Sequence, residues 1–240
     1  MKQPFYISRE NIKWIAVITM LIDHIGFYFF MNQSQYHILY TILRIIGRIS
    51  FPLFAFLIVE GFFQSKNKKY LFRLILFSVI SETPYDLFCI GKPFSIEAQN
   101  VLFTFWIALL MLMGMNYIRY HFFSVFLQEV FGIVFLVLAC SAAYLLKTDY
   151  SCYGILMIAV MYVFREQPER KFLFLSLLMI CTRGLNHFAI LSLPLLWLYQ
   201  SSEEEKRNYQ SFSFVRKYFF YLIYPVHMLL FYLIGNSGLK

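Results

Sequence analysis

Charged residues are scarce in this chain of 240 residues: they make up 14% of it, whereas hydrophobic residues make up 60%. Soluble domains carry about 25% charged and about 45–50% apolar residues. A soluble fold of this length has too little interior to bury so much apolar surface. The composition therefore excludes a soluble enzyme, a disordered chain and a large extramembrane domain. It predicts one integral membrane domain over residues 1–240.

Signals for other kinds of structure are missing as well. The sequence contains no internal repeat, no low-complexity tract and no linker. Its four cysteines lack metal-ligand spacing, so no metal is expected; buried thiols are favoured, while a disulfide stays open. The first apolar stretch, from Ile12 to Met31, carries Lys13, Asp23 and His24, and no small-residue cleavage site follows it. We therefore expect a retained helix there rather than a signal peptide.

Long apolar runs are what the chain has in abundance. Nine hydrophobic segments lie at about 12–31, 37–63, 70–90, 98–118, 122–146, 151–164, 171–183, 185–200 and 216–235. Since about 20 apolar residues cross a bilayer as a helix, we predict an all-α polytopic bundle of about nine transmembrane helices. The sixth and seventh segments, at about 12–14 residues, are expected to be short or re-entrant.

The basic residues predict an orientation. With the N-terminus in the cytoplasm and alternating segments, fifteen Lys and Arg residues fall at the inner side and four at the outer side. This excess is typical of cytoplasmic loops, so we expect a multi-pass protein of the cell membrane with a cytoplasmic N-terminus. The net charge of +8 is dispersed over several inner loops, which makes nucleic acid an unlikely partner and the lipid bilayer the expected one.

Four ionisable residues from four segments fall in one layer inside the bilayer. At about 1.5 Å per residue, His24, Arg48, Glu82 and His227 each lie roughly 17–22 Å from the inner ends of their helices. The neighbouring charges at the edges of this layer are Asp23, Arg44 and Asp86. Charges inside a bilayer are costly, so each is a functional hypothesis by default. The layer predicts a buried polar cavity at the centre of the bundle.

Structural and chemical interpretations of this layer stay open. Arg44 and Arg48 share a helix face and would either serve chemistry or pair with Glu82 or Asp86 to hold the bundle together. Buried carboxylates and histidines suit proton-coupled transport. They equally suit group transfer, in which a histidine takes a proton from the acceptor and arginines stabilise developing negative charge.

Basic residues at the inner ends of three segments suggest a cytoplasmic cofactor. Lys13, Arg73, Arg216 and Lys217 would hold the phosphates of such a molecule. A coenzyme A bound there would send its pantetheine arm upward. That arm is on the order of 15–20 Å long, comparable with the rise along the helix from Lys13 to His24.

Several segments resemble the TraX family, in matching order over nearly the whole chain. The matching segments are Lys13–Gly26, Leu43–Phe56, Glu60–Phe62, Lys69–Leu74, Ile80–Asp86, Asn100–Thr104, Asp149–Leu156, Lys217–Tyr221 and Tyr224–His227. The resemblance implies a membrane enzyme that acetylates the N-terminus of a pilin with acetyl-CoA. The TraX family is similar in turn to acyltransferase-3 membrane proteins, which carry a basic residue, ten intervening residues and a histidine on the first helix, then an Arg pair and a Tyr…His pattern. The corresponding residues here are Lys13 and His24, Arg44 and Arg48, and Tyr224 and His227.

The resemblance and the polar layer together predict roles. His24 is the expected general base, with Glu82 or Asp23 orienting it or carrying the proton on, and His227 is the other candidate base. The residues expected to bind acetyl-CoA are Lys13, Arg44, Arg48, Arg73 and Tyr224. The predicted reaction moves an acetyl group to an amine or hydroxyl of a pilin-like protein, a peptide or a surface polymer. The alternatives are an ion- or proton-coupled transporter and a non-catalytic membrane assembly protein.

Overall fold

A computed structural model describes residues 6–65, 67–200 and 214–237. The helices are α1 (Arg9–Ile25), α2 (His37–Gly47), α3 (Ser50–Gln64), α4 (Asn67–Cys89), α5 (Val101–His121), α6 (Val125–Leu145), α7 (Ser151–Val163), α8 (Pro168–Ile180), α9 (Leu193–Trp197) and α10 (Phe214–Asn236). A π-helical segment, Gly26–Phe30, extends α1, and a 3-10 segment, Gly184–Ser192, precedes α9. In the described ranges the chain is helical apart from turns, loops and two isolated backbone bridges.

Five helical stretches are long and apolar enough to cross a bilayer. They are Arg9–Phe30, Ser34–Gln64, Val101–His121, Val125–Leu145 and Tyr218–Asn236. Ser151–Val163 and Gly184–Trp197 are apolar but shorter. The helices therefore agree with a multi-pass membrane protein, but the predicted count of about nine crossings is not confirmed. The helices of the sixth and seventh predicted segments, α7 and α8, are short as expected, with 13 residues each.

The second predicted segment is broken in the middle of the bundle. α2 ends at Gly47 and α3 begins at Ser50. Pro52, in the first turn of α3, has no N–H to donate to the carbonyl of Arg48, and its ring would clash with that carbonyl in a continuous helix. The interruption therefore falls at Arg48 and Ile49, and it places Arg48 at a helix end deep inside the protein.

The central helix is α3, and the most peripheral of the long helices is α6. Nearly every residue from Ser50 to Phe62 is buried, and α3 packs against α1, α5 and α7. In α6 only 6% of the candidate span is buried, and apolar side chains such as Ile133 and Val137 are exposed. An apolar face of this kind suits contact with lipid chains rather than water.

The bundle has two ends, which we name after residues of α1 and of the π-helical segment that extends it. At the Arg9 end, α1 begins and the backbone N–H of Ile7 donates to the carbonyl of Leu198 at 2.9 Å. At the Phe30 end, the N–H of Asp149 donates to the carbonyl of Gln99 at 2.8 Å and ties the loop before α7 to the start of α5. Asp23, His24 and Arg48 lie between these ends.

Candidate active site

A cavity of about 350 Å³ lies between α1, α2, α3, α4, α5 and α10, and we name it the His24 cavity. Most of its wall is aromatic or aliphatic. The carboxylate, imidazole and guanidinium groups in that wall are Asp23, His24, Arg44, Arg48 and Asp149. Because such groups are costly to keep at membrane depth, this cavity is the leading candidate for a functional site.

Two histidines from α1 and α10 meet at the His24 cavity. Nδ1 of His24 lies 2.6 Å from Nε2 of His227, and the two rings stack with their centroids 4.9 Å apart. Nδ1 of His227 lies 2.6 Å from the backbone carbonyl oxygen of Ile223. His24 lines the cavity, whereas His227 is buried behind it and is 4% exposed.

This chain of hydrogen bonds fixes the protonated nitrogen of each ring when both rings are neutral. The carbonyl oxygen of Ile223 can only accept, so Nδ1 of His227 carries the hydrogen and Nε2 accepts. Nδ1 of His24 must then donate to His227, which leaves a lone pair on Nε2 of His24. Within the described ranges the His24 side chain makes no other hydrogen bond. The ring that faces the cavity is therefore arranged to accept a proton.

Both arginines of α2 and its break converge on one carboxylate of α1. Nη1 of Arg44 lies 2.6 Å from Oδ2 of Asp23, and Nη2 of Arg48 lies 2.8 Å from Oδ1 and 3.0 Å from Oδ2. Arg48 also donates to Oδ1 of Asn186 at 2.9 Å and to the carbonyl of Arg44 at 3.3 Å. The partner of both arginines is thus Asp23 and not Glu82 or Asp86, and among the described residues no hydrogen bond joins Asp23 to His24.

The approach of α2 to α1 depends on a glycine. A Cβ built on Gly47 would overlap the carboxyl group of Asp23. Any other residue at this position would push α2 away or displace the carboxylate that both arginines share. Gly47 therefore allows the two guanidinium groups to reach Asp23.

A second carboxylate enters the cavity wall from the loop before α7. Oδ1 of Asp149 accepts the N–H of Tyr150 at 3.0 Å, and its backbone carbonyl accepts the hydroxyl of Thr104. Lys147, Tyr150 and Ser151 have positive φ angles of 52°, 63° and 39°. Non-glycine residues rarely adopt this region, so the surrounding packing must hold the loop in place. Asp149 lies in one of the segments that resemble the TraX family but was not predicted as a site residue, and that motif was the signal that could have identified it.

Glu82 belongs to a different set of contacts. Its Oε2 accepts the side-chain amide of Asn100, and the same amide donates to the carbonyl of Ser78 at 2.8 Å. Asn100 also caps α5, because its Oδ1 accepts the N–H of Leu102 at 3.0 Å. Glu82 does not line the His24 cavity, so the structure gives it a position that ties α4 to α5.

A smaller cavity of about 160 Å³ lies toward the Arg9 end, and we name it the Arg73 cavity. Its basic residues are Arg9, Lys13 and Arg73. Lys13 is paired with Glu10 at 2.6 Å, whereas the buried Nε of Arg73 has no hydrogen-bond partner among the described residues. The side chains of Arg216 and Lys217, also suggested for phosphate binding, lie outside the described part of the chain.

The two cavities are neighbours that share part of their walls. The side chains that line both are Phe54, Leu102, Phe105, Phe220 and Tyr224. Tyr224 is buried, with 6% of its surface exposed, and it stands at this common boundary. A long ligand entering at the Arg73 cavity would pass these side chains to reach His24.

Another charged cluster closes the Arg9 end beside these cavities. Oε1 of Glu60 accepts Nε of Arg165 at 3.1 Å, and Oε2 accepts the amide of Gln64 at 3.3 Å. Burial lowers the pKa of Arg165, but its hydrogen bond and attraction to Glu60 outweigh burial, and the pKa is raised. The ion pair ties α3 to the turn after α7.

Comparisons with known proteins show which family the chain resembles. The chain matches the family model described as TraX protein over residues 8–235. It is 32% identical over 251 residues to a protein of Dichelobacter nodosus named "Probable fimbrial assembly protein FimC, serogroup H1", and the match covers 93% of both chains. It is 38% identical over 72 residues to an uncharacterized protein of Rickettsia prowazekii (strain Madrid E), covering 30% of this chain and 25% of that protein. No solved structure matches the chain.

Proposed function

The chain belongs to the TraX family, and from this membership and the His24 cavity we propose that it is a membrane-embedded acetyltransferase. It would move an acetyl group from acetyl-CoA to an amine or hydroxyl of a protein, such as a pilin. The resemblance of the motifs to pilin acetylases and the fimbrial name of the Dichelobacter nodosus relative both support an acceptor connected with pili. The observation that carries the proposal is the hydrogen-bonding of His24, which lines the cavity and whose Nδ1 is engaged by His227, so that Nε2 keeps its lone pair.

In this proposal His24 is the general base. Its Nε2 takes a proton from the acceptor, whose nitrogen or oxygen attacks the carbonyl carbon of the thioester. The carbon–sulfur bond then breaks, and His24 returns the proton to the departing thiolate. His227 is a positioning residue, because its Nε2 accepts from Nδ1 of His24 and so keeps the other nitrogen of that ring available.

The arginines would act on negative charge that develops during the attack. Arg44 donates one hydrogen bond to Asp23, and a guanidinium has five N–H donors, so donors remain for the carbonyl oxygen of the thioester. Arg48 is held by Asp23 and Asn186, which fixes its charge beside the cavity. Oriented charges of this kind favour a transition state because they need no rearrangement when charge appears.

The Arg73 cavity would receive the phosphate-bearing part of acetyl-CoA. The buried Nε of Arg73, without a partner among the described residues, suits a charge-assisted bond to a phosphate oxygen. Lys13 lines the same cavity and lies about 16 Å from His24 along α1, by helical rise. Tyr224 would line the passage between them. The excess of basic residues at the inner side of the proposed topology supports a cytoplasmic Arg9 end, where acetyl-CoA is available.

Two measurements on detergent-purified protein test the proposal. We expect saturating CoA to raise the melting temperature, because a ligand that binds the folded state stabilises it. We also expect labelled acetyl to pass from acetyl-CoA to a peptide that matches the mature N-terminus of the pilin encoded in the same genome. The proposal would be overturned if CoA produced no thermal stabilisation and no acetyl transfer were detected. Gradient-driven, CoA-independent ion flux in liposomes would instead favour a transporter.

A non-catalytic assembly component is the second candidate, favoured by the name of the Dichelobacter nodosus relative as a fimbrial assembly protein. Such a protein would need the Asp23 network for stability but would have no need of the lone pair on His24. A deletion strain complemented with His24→Ala separates the two. Normal pili that lack N-terminal acetylation would support the enzyme, whereas normal pili with unchanged acetylation would support the assembly component.

A further inference from the structure

The carboxylate of Asp149 is the charged group of the His24 cavity that the proposed mechanism leaves without a task. It lines the cavity together with His24, Arg48 and Tyr150. Among the described residues it forms no salt bridge, whereas Asp23 forms two. One of its oxygens accepts the N–H of Tyr150, and no hydrogen bond within the described ranges engages the other.

The loop that carries Asp149 is held on several sides. The Asp149 N–H donates to Gln99, its carbonyl accepts from Thr104, and the ring of Tyr150 stacks on Phe51 with centroids 3.7 Å apart. The positive φ angle of Tyr150 persists because these contacts outweigh the backbone preference. The carboxylate therefore has a defined position instead of swinging on a mobile loop.

Arg48, which lines the same cavity as Asp149, forms its hydrogen bonds with other groups. It donates to both oxygens of Asp23, to Asn186 and to the carbonyl of Arg44. The neighbouring guanidinium of Arg44 is directed at Asp23 as well. Asp149 is attracted by both arginines but forms no direct ion pair with either among the described residues, so its carboxylate can still accept charge-assisted hydrogen bonds from a cationic ligand.

The position of its loop also separates Asp149 from the residues proposed to bind acetyl-CoA. Asp149 is tied to Gln99 at the Phe30 end, whereas Arg73 and Lys13 line the cavity toward the Arg9 end. A negatively charged donor and a positively charged acceptor would thus each meet a side chain of opposite charge. Complementary charges at two ends of one passage orient both molecules before they react.

We propose that Asp149 binds the ammonium group of the acceptor and thereby makes the enzyme select a primary amine over a hydroxyl. This inference rests on the proposed acetyltransferase function and narrows its acceptor. The bound ammonium releases one proton to solvent water. The resulting amine gives a second proton to Nε2 of His24 as its nitrogen attacks the thioester carbon. The carbon–nitrogen bond forms, the carbon–sulfur bond breaks, and His24 returns its proton to the thiolate.

The test compares two acceptors on the wild-type protein and on Asp149→Asn. The first is the peptide acetylated in the transfer experiment above, and the second is the same peptide with a hydroxyl in place of its N-terminal amino group. We expect the wild type to prefer the amine strongly. In Asp149→Asn we expect kcat/KM for the amine to fall about 30-fold or more, mainly through KM, because one partner of a buried charge pair is lost. Transfer to the hydroxyl peptide should stay unchanged.

Asp86→Asn is the matched control. Asp86 is buried and its Oδ2 accepts the N–H of Ser95 at 2.8 Å, as Asp149 accepts that of Tyr150, but it does not line the His24 cavity. Equal use of both peptides by the wild type overturns the inference, and so does an unchanged preference in Asp149→Asn. The comparison of the two peptides on the wild type remains valid even if Asp149→Asn does not fold. Stabilisation of Asp149→Asn by CoA shows whether that variant is folded. Absence of CoA stabilisation and of all transfer in the wild type overturns the proposed function instead.

Discussion

The His24 cavity and the Arg73 cavity share a wall but differ in how their charges are matched. In the His24 cavity, two guanidinium groups meet one carboxylate, and a second histidine fixes the proton of His24. In the Arg73 cavity, the buried Nε of Arg73 lacks a partner within the described ranges. Groups that are already paired can be held still for chemistry, whereas an unmatched cation gains most when an anionic ligand arrives.

Removing the proposed base, His24, should have the largest effect on acetyl transfer and should leave CoA binding in the Arg73 cavity intact. In His24→Ala we expect kcat for acetyl transfer to fall about 10²–10⁴-fold, because general base catalysis is lost. The melting-temperature increase caused by CoA should persist, since the Arg73 cavity is untouched. The matched control is His121→Ala, an exposed histidine at the end of α5. Undiminished transfer in His24→Ala would remove His24 from the mechanism.

Adding a methyl group at Gly47 tests how much the ion pairs of Asp23 contribute to the stability of the protein. In Gly47→Ala the added Cβ overlaps Asp23, so we expect the free energy of unfolding to fall by about 3 kcal/mol or more. Unfolding in detergent, followed by circular dichroism, measures the loss. In Gly132→Ala the Cβ meets no atom within 4 Å, and we expect stability to be unchanged or raised by about 0.5–1 kcal/mol. Equal stability of the two variants would contradict the close approach of α2 to Asp23.

The positioning role of His227 gives a smaller effect. In His227→Ala we expect kcat to fall about 10–100-fold, the range seen when a group that orients a functional histidine is removed. His227→Gln keeps an acceptor oxygen for Nδ1 of His24 and should recover part of the activity. A structural role alone would not distinguish the two variants at equal stability. The kcat values of variants with matched melting temperatures decide between these outcomes.

Replacing Arg73 tests whether the Arg73 cavity binds acetyl-CoA without taking part in the reaction at His24. In Arg73→Gln we expect KM for acetyl-CoA to rise about tenfold with little change in kcat, because one charge-assisted bond to phosphate is lost. Initial rates at varied acetyl-CoA measure both constants. Arg119→Gln, an exposed arginine of α5, serves as the control. A fall in kcat at constant KM would place Arg73 with the reacting groups rather than with the binding site.

The sequence predicted the helices well because their physics is local. Apolar runs predicted the helical segments, and helical rise predicted that His24 and His227 lie at one level, where the structure brings them into contact. The break in the second segment required Pro52 to be combined with tertiary packing, which gave Arg48 its place at a helix end. The predicted count of about nine crossings is not confirmed, because helices such as α7 and α8 are too short to be identified as spans by length.

Partner choice could not be read from the sequence, since it depends on how distant helices face one another. The sequence suggested Glu82 or Asp86 as the structural partner of the arginines, yet in the structure both arginines pair with Asp23. His24 and His227 are separated by 203 positions, and only the packing of α10 brings them into contact. Asp149 reaches the cavity through a loop with an unusual backbone, which no apolar pattern predicts.

The length of α7 has a consequence for the position of the loop that carries Asp149. A helix of 13 residues covers about 20 Å, whereas the hydrocarbon core of a bilayer is about 30 Å thick. Among its residues only Val163 is exposed, so α7 is enclosed by neighbouring helices and does not have to match the thickness of the lipid. The loop of Asp149, which precedes α7, can therefore end inside the bundle instead of at the membrane surface. The short helix thus sets the level at which Asp149 enters the wall of the His24 cavity.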